Sequence, residues 1–178
     1  MSHFSIITLI LIITTPVLVI DFGIDKDGSD WFITNDGVMG GLSQGKAIIL
    51  EDKLVFEGTV SLENNGGFTK LDSRLQKMDL SQFSRVRIRA KGSGHVAGFR
   101  LDLNQRFYLP NYKYMLEPTD DWKVYEFPLT EVMEYQMGNQ TGNSLSKKQL
   151  ANIIRMGFIM SNKTDGPFRW EVDYIKFE

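Results

Sequence analysis

From residue 46 onward the apolar side chains of this 178-residue chain recur at every second position, in short bursts. Residues 46–51, 53–62, 85–91, 96–103, 113–116, 122–129, 156–160 and 168–177 are rich in β-branched and aromatic side chains, and Gly, Asn, Asp or Pro bounds each burst. A period of two sends alternate side chains to opposite faces of a strand, one face buried and one wet. Residues 17–22 (VLVIDF) read as a further strand at the start. The pattern predicts an all-β chain, a jelly-roll β-sandwich with one or two short helices. The helical expectations are residues 131–135 and 146–154, the second with Ser146 as N-cap and Leu150, Ile153 and Ile154 on its buried side. Residues 139–144 (NQTGNS) read as a flexible surface loop.

The length fits one domain over residues 17–178, able to bury roughly two thirds of its unfolded surface. A net charge of −2 lacks the positive field that phosphate backbones require, so nucleic acid is not an expected partner. Cysteine is absent, which removes disulfides, thiolate catalysis and cysteine metal sites together. Residues 4–20 carry no charge. They reach only the lower limit of the about 17 to 25 residues of a membrane span, and Pro16 divides them. Residues 1–16 therefore read as a signal-like or membrane-targeting segment, with no preceding Lys or Arg and no Ala-x-Ala-like site after it. The expected location is exported or membrane-associated, periplasmic or extracellular, in preference to mitochondrial.

Two glycine pairs stand beside large apolar and short polar residues, in WFITNDGVMGGLS (31–43) and NNGGF (64–68). Such positions allow backbone conformations and close approaches that a Cβ forbids. Together with FEGTVSL (56–62), WKVYEFPL (122–129), residues 154–158 and GPFRWEVDYI (166–175), these motifs resemble the complex I intermediate-associated protein family, the thirty-kilodalton assembly factor and its relatives. Asp72 stands where relatives commonly carry an arginine, with Arg74 two places on. The resemblance spans nearly all of residues 17–178. It implies a galactose-binding-like jelly roll, a fold used by carbohydrate-binding modules and by proteins that dock other proteins. Mitochondrial members act as chaperone-like factors in building respiratory complex I.

The expected role is thus a non-catalytic binding or assembly factor that docks a protein partner through the motif loops. The binding candidates are Asp36, Met39, Gly40, Gly41, Ser43, Asn64, Asn65, Gly67 and Phe68. The alternative is an exported carbohydrate-binding module with Arg100, Tyr108 and Tyr112 on a shared sheet face. Catalysis has little to work with. Of the two histidines, His3 lies in the leader and His95 in a Gly-Ser-Gly-His turn, where it reads as an exposed turn residue. The glycine-rich run 37–45 matches no phosphate-binding pattern and reads as a tight turn packed under the Trp31 and Phe68 rings. Asp25, Asp27 and Asp30 raise a structural calcium ion as the one cofactor expectation, set against a solvated polar turn. Arg85, Arg87, Arg89 and Lys91 share one strand face at about 6.6 Å spacing, a solvated ladder in preference to a docking strip.

Overall fold

The alternation in residues 85–93 sets the pattern for the whole molecule. Val86, Ile88 and Ala90 are fully buried, while Arg85, Arg87, Arg89 and Lys91 face outward. Slipping the register by one residue would exchange the two sets, so the pairing is strongly specified. A computed structural model describes residues 16–178; the leader expected over residues 1–16 lies, apart from Pro16, outside them. The described chain forms β1 (Leu18–Asp21), β2 (Phe32–Asn35), β3 (Gln44–Ile49), β4 (Leu54–Val60), β5 (Thr69–Asp72), β6 (Arg85–Ser93), β7 (Ala97–Asp102), β8 (Asn111–Leu116), β9 (Thr119–Pro128), β10 (Met133–Gln136), β11 (Asn139–Ser144), the single-turn helix α1 (Lys147–Leu150), β12 (Arg155–Met160) and β13 (Gly166–Phe177).

Two antiparallel sheets face each other. One runs β3-β4-β13-β6-β9, with β1 pairing β13, and the other runs β11-β10-β8-β7-β12-β5-β2. Their inner faces meet in a core of aromatic rings. Phe99 on β7 lies 5.7 Å from Phe158 on β12 and reaches across to Phe127 on β9 at 6.2 Å and Phe177 on β13 at 6.4 Å. Each such fully buried ring contributes roughly 1.5 to 3 kcal/mol. This is the jelly-roll sandwich that the period of two predicts.

Several local expectations are corrected. Residues 131–135 are not a helix: after a short 3-10 turn, Leu129–Glu131, the chain enters β10, where Met133, Glu134 and Tyr135 pair with Lys113, Tyr112 and Asn111 of β8. Helix-favouring side chains yield here to the ladder of a neighbouring strand. The expected loop at 139–144 is edge strand β11, exposed throughout, which turns back from β10 through Met137 (φ 49) and Gly138 (φ 81). Left-handed conformation at both turn residues matches the twist of a two-residue hairpin. The second helix is shorter than expected, but Ser146 does cap it: its hydroxyl accepts from the Gln149 amide while the Gln149 side chain accepts from the Ser146 amide.

Candidate functional site

The two glycine motifs converge on one buried carboxylate. Asp36 is fully inaccessible, and its Oδ2 accepts from the Ser43 hydroxyl at 2.5 Å, the Gly67 amide at 2.6 Å and the Phe68 amide at 3.1 Å. Its Oδ1 accepts from the Ser43 amide at 2.9 Å. Burial alone would push this carboxyl upward, but the hydroxyl and the three amides outweigh it and hold Asp36 below the usual carboxylate range. The glycines make room for this arrangement. A Cβ on Gly41 would strike the Asp36 carboxyl and lie 2.8 Å from Gly66 Cα, and one on Gly66 would lie 2.7 Å from Asp36 Oδ2. The tight turn is therefore packed on a carboxylate and not under the Trp31 and Phe68 rings; Trp31 instead meets Phe22 edge-on at 5.2 Å.

What this lock presents outward is apolar. Val38 and Met39, on the 3-10 turn Asp36–Met39, are 79% and 61% exposed. Leu42 follows on the same loop, also exposed. Met39 and Phe68 border a groove of about 330 Å³ on the outer face of the seven-stranded sheet. Across it stand Phe107, Leu109 and Met137, of which Phe107 is 74% exposed.

The groove floor is ionic. Asp72, Gly157, Arg100 and Lys113 are lateral neighbours across β5, β12, β7 and β8. Because Gly157 has no side chain, the Arg100 guanidinium reaches over it to Asp72 Oδ1 at 2.6 Å, and also meets Asp102 Oδ2 at 2.9 Å. A Cβ at Gly157 would overlap the Leu71 carbonyl oxygen and lie 3.0 Å from Asp72 Oδ1. Arg155 pairs with Asp102 at 3.0 Å, and Lys70 lies 3.1 Å from Asp72 Oδ2 without an aligned hydrogen bond. Burial and the nearby Arg100 push Lys70 down. The same two causes push Lys113 down to about 8.

The sequence-expected residues therefore separate into three groups. Asp36, Gly41, Ser43 and Gly67 build the lock, with Gly40 (φ 89) as its left-handed corner. Met39 and Phe68 reach the groove, while Asn64 (φ 54) and Asn65 (φ 60) form an exposed left-handed turn beside it. Arg100 faces the groove, but Tyr112 does not share that face: it points into the sandwich, 2% exposed, its hydroxyl donating to Glu134 at 2.7 Å and accepting from Gln149 at 2.5 Å. Period two puts Tyr112 and Lys113 on opposite faces, and the apolar ring takes the core. Tyr108 lies on the loop before β8, half exposed, where its hydroxyl accepts from Arg106 at 3.1 Å. Lys70, Asp102, Lys113 and Arg155 were missed, since only strand pairing assembles them.

Elsewhere the polar groups are engaged. The outer ladder of β6 is solvated and matched with acids: Arg85 and Arg87 with Glu126, Arg89 with Asp173, Lys91 with Glu171. His95 is buried, not an exposed turn residue. Its ring lies within hydrogen-bond reach of the Asn162 side chain and the Gly166 carbonyl, and its own carbonyl accepts from Trp170 Nε1. In the acidic turn, Asp21 and Asp27 accept backbone amides and Asp30 pairs with Arg74. Among the described residues no three His, Asp or Glu side chains gather as a cation cage. No described helix is long and apolar enough to cross a membrane.

A family model described as complex I intermediate-associated protein 30 matches residues 20–172. The mitochondrial complex I intermediate-associated protein 30 of Mus musculus is 24% identical over 175 residues, an alignment taking in 84% of this chain and 52% of the relative. The chain thus spans about half the length of that curated relative. The family 11 carbohydrate-binding module of the cellulosomal cellulase Lic26A-Cel5E of Clostridium thermocellum superposes with a TM-score of 0.66 at 18% identity, covering 92% of this chain and 95% of that one. A family 11 module from Clostridium thermocellum in complex with a β-1,3-1,4-mixed-linked tetrasaccharide gives 0.61 at 19% identity, covering 84% and 88%. At such identities the likeness is one of fold.

Proposed function

The chain belongs to the complex I intermediate-associated protein 30 family, and from that premise we propose that it is a non-catalytic binding module, an assembly factor that docks a polypeptide partner at the groove. One observation carries the reading: Met39, Phe107 and Met137 stand exposed around a groove whose floor is fixed by ion pairs, and the Asp36 lock holds one side of that rim in place. Methionines and a free aromatic ring adapt to protein surfaces, and rigid backing lowers the entropy lost on docking. Most of the titratable groups on the floor are tied to one another, which suits recognition better than proton transfer. Export or membrane association through the apolar N-terminal run, and a single sandwich domain over residues 17–178, are part of the proposal. The second reading, an exported carbohydrate-binding module, draws on the exposed Phe107 ring at the groove edge, which is free to stack on a sugar.

Site-specific photocrosslinking distinguishes them. A photoreactive residue at Met39 or Phe107 should capture a defined polypeptide that one at Ile48, on the other sheet, does not. The purified partner should then bind the wild-type chain and lose about tenfold in affinity to Phe107→Ser. Equal capture at all three positions, or saturable glycan binding abolished by Phe107→Ser with no polypeptide captured, overturns the docking reading.

A further inference from the structure

The groove carries the opposite charge to the chain around it. The sequence as a whole carries −2. Yet five basic side chains, Lys70, Arg100, Arg106, Lys113 and Arg155, line the groove against one lining carboxylate, Asp102, with Asp72 buried beneath. Arg100 and Arg155 spend their guanidinium groups on those two acids. The Lys113 side chain makes no ion pair or hydrogen bond with any described residue, although the residue is only 7% exposed. Its ammonium lies 4.1 Å from the centre of the Tyr135 ring, and Arg100 is its lateral neighbour. This largely buried lysine sits beside a guanidinium, and the Asp102 carboxylate that acts on it is already paired to Arg100 and Arg155, which leaves the ammonium free to meet an incoming anion. Burial and Arg100 bring Lys113 down to about 8, so it is still protonated at neutral pH and available to pair. Around the cations the lining alternates apolar side chains, Met39, Phe107, Leu109 and Met137 among them, with the polar Asn104, Gln105, Asn111 and Ser161. A carboxylate flanked by apolar side chains matches cations set among methionines and an exposed aromatic ring.

We propose that the groove receives an acidic polypeptide segment, with an Asp or Glu side chain of the partner paired to Lys113 beside Arg100 and its apolar neighbours covered by Phe107 and Met137. This rests on the docking reading above and adds the chemistry of the partner.

The test follows Lys113 itself in the full chain carrying 13Cε-labelled lysines, titrated with the peptide acetyl-Leu-Glu-Leu-Glu-Leu-Glu-amide, with its all-Gln counterpart, and with an oligogalacturonate as the sugar-borne carboxylate. The Glu peptide should raise the Lys113 pKa by about one unit. It should also bind about tenfold tighter than the Gln peptide at low salt, a gap that narrows at about 0.5 M salt. Lys113→Met should abolish the preference, while Lys46→Met on the other sheet keeps it. Equal binding of the two peptides, a Lys113 resonance unmoved at millimolar Glu peptide, or movement with oligogalacturonate alone overturns the proposal, and the wild-type titration decides this whether or not Lys113→Met folds. If these results are negative while Phe107→Ser still loses the crosslinked partner, docking stands and only the acidic chemistry falls.

Discussion

Replacing Asp36 with Asn keeps the outline of the side chain while removing its charge and one acceptor. Four donors converge on the carboxylate: the Ser43 hydroxyl and the amides of Ser43, Gly67 and Phe68. If the Asn oxygen takes the position that serves three of them, the amide NH2 is left facing the Ser43 N–H, donor against donor. That unpaired buried donor costs about 1 to 3 kcal/mol, and each remaining bond loses about 1 kcal/mol on passing from a charged to a neutral acceptor. The expected loss is about 4 kcal/mol at the least, or roughly 8 to 16 °C in Tm for a domain of this size. Because the folded pKa of Asp36 is lowered, its contribution is complete above the unfolded value of 3.8 and is lost as pH falls through the folded value. The Tm gap between wild type and Asp36→Asn should therefore be widest near neutral pH and close under strong acid. Circular dichroism melts measure the gap, and hydrogen exchange at the Gly67 and Phe68 amides locates it. A variant melting within about 2 °C of wild type, with those amides still protected, would refute the idea that the two loops are held by this carboxylate.

At the glycines, Gly41→Ala should destabilise more than Gly40→Ala, because Gly41 touches Asp36 and Gly66, whereas Gly40 (φ 89) has open space and carries only the left-handed strain of about 1 to 2 kcal/mol; urea midpoints rank them. Stability should rise between pH 8 and about 10, because unfolded Lys113 holds its proton up to 10.5 while the folded group releases it near 8. The gain is about 2 kcal/mol, is absent in Lys113→Met, and reads directly from denaturant melts across that range. His95→Phe leaves the Gly166 carbonyl and the Asn162 side chain without their buried partner and should cost about 2 kcal/mol without altering partner affinity. Retention of wild-type stability would show that this ring is not a structural tie.

Strand content and sandwich architecture were legible because alternation is a local signal: β6 and β13 can be read from their own side chains. Strands β5 and β11 were not, since Thr69–Asp72 is short and Asn139–Ser144 contains no apolar residue, so only backbone pairing defines them, β5 with β12 and β2 and β11 with β10. The glycine pairs announce a steric constraint, but the sequence does not say what presses against them, because nothing local sets the carboxylate five residues away in Gly41's own loop above the neighbouring aromatic rings. The groove was the least visible feature. Its floor draws Lys70, Arg100, Lys113 and Arg155 from four strands and depends on the missing side chain of Gly157, which the 154–158 motif contains but whose neighbours across the sheet it does not reveal.

The twelve residues of β13 lie in the middle of the six-stranded sheet, pairing with β4 on one side and β6 on the other while β1 joins the same strand. The strand pairs β3-β4 and β6-β9 thus have nothing between them until residues beyond 166 have been synthesised. Assembly of this half of the sandwich must wait until β13 has been synthesised, with β1 idle until then. Such distant pairings make for slow folding and a long exposure of unpaired edges. The open edges of β4 and β6 are then the surfaces that need shelter during synthesis.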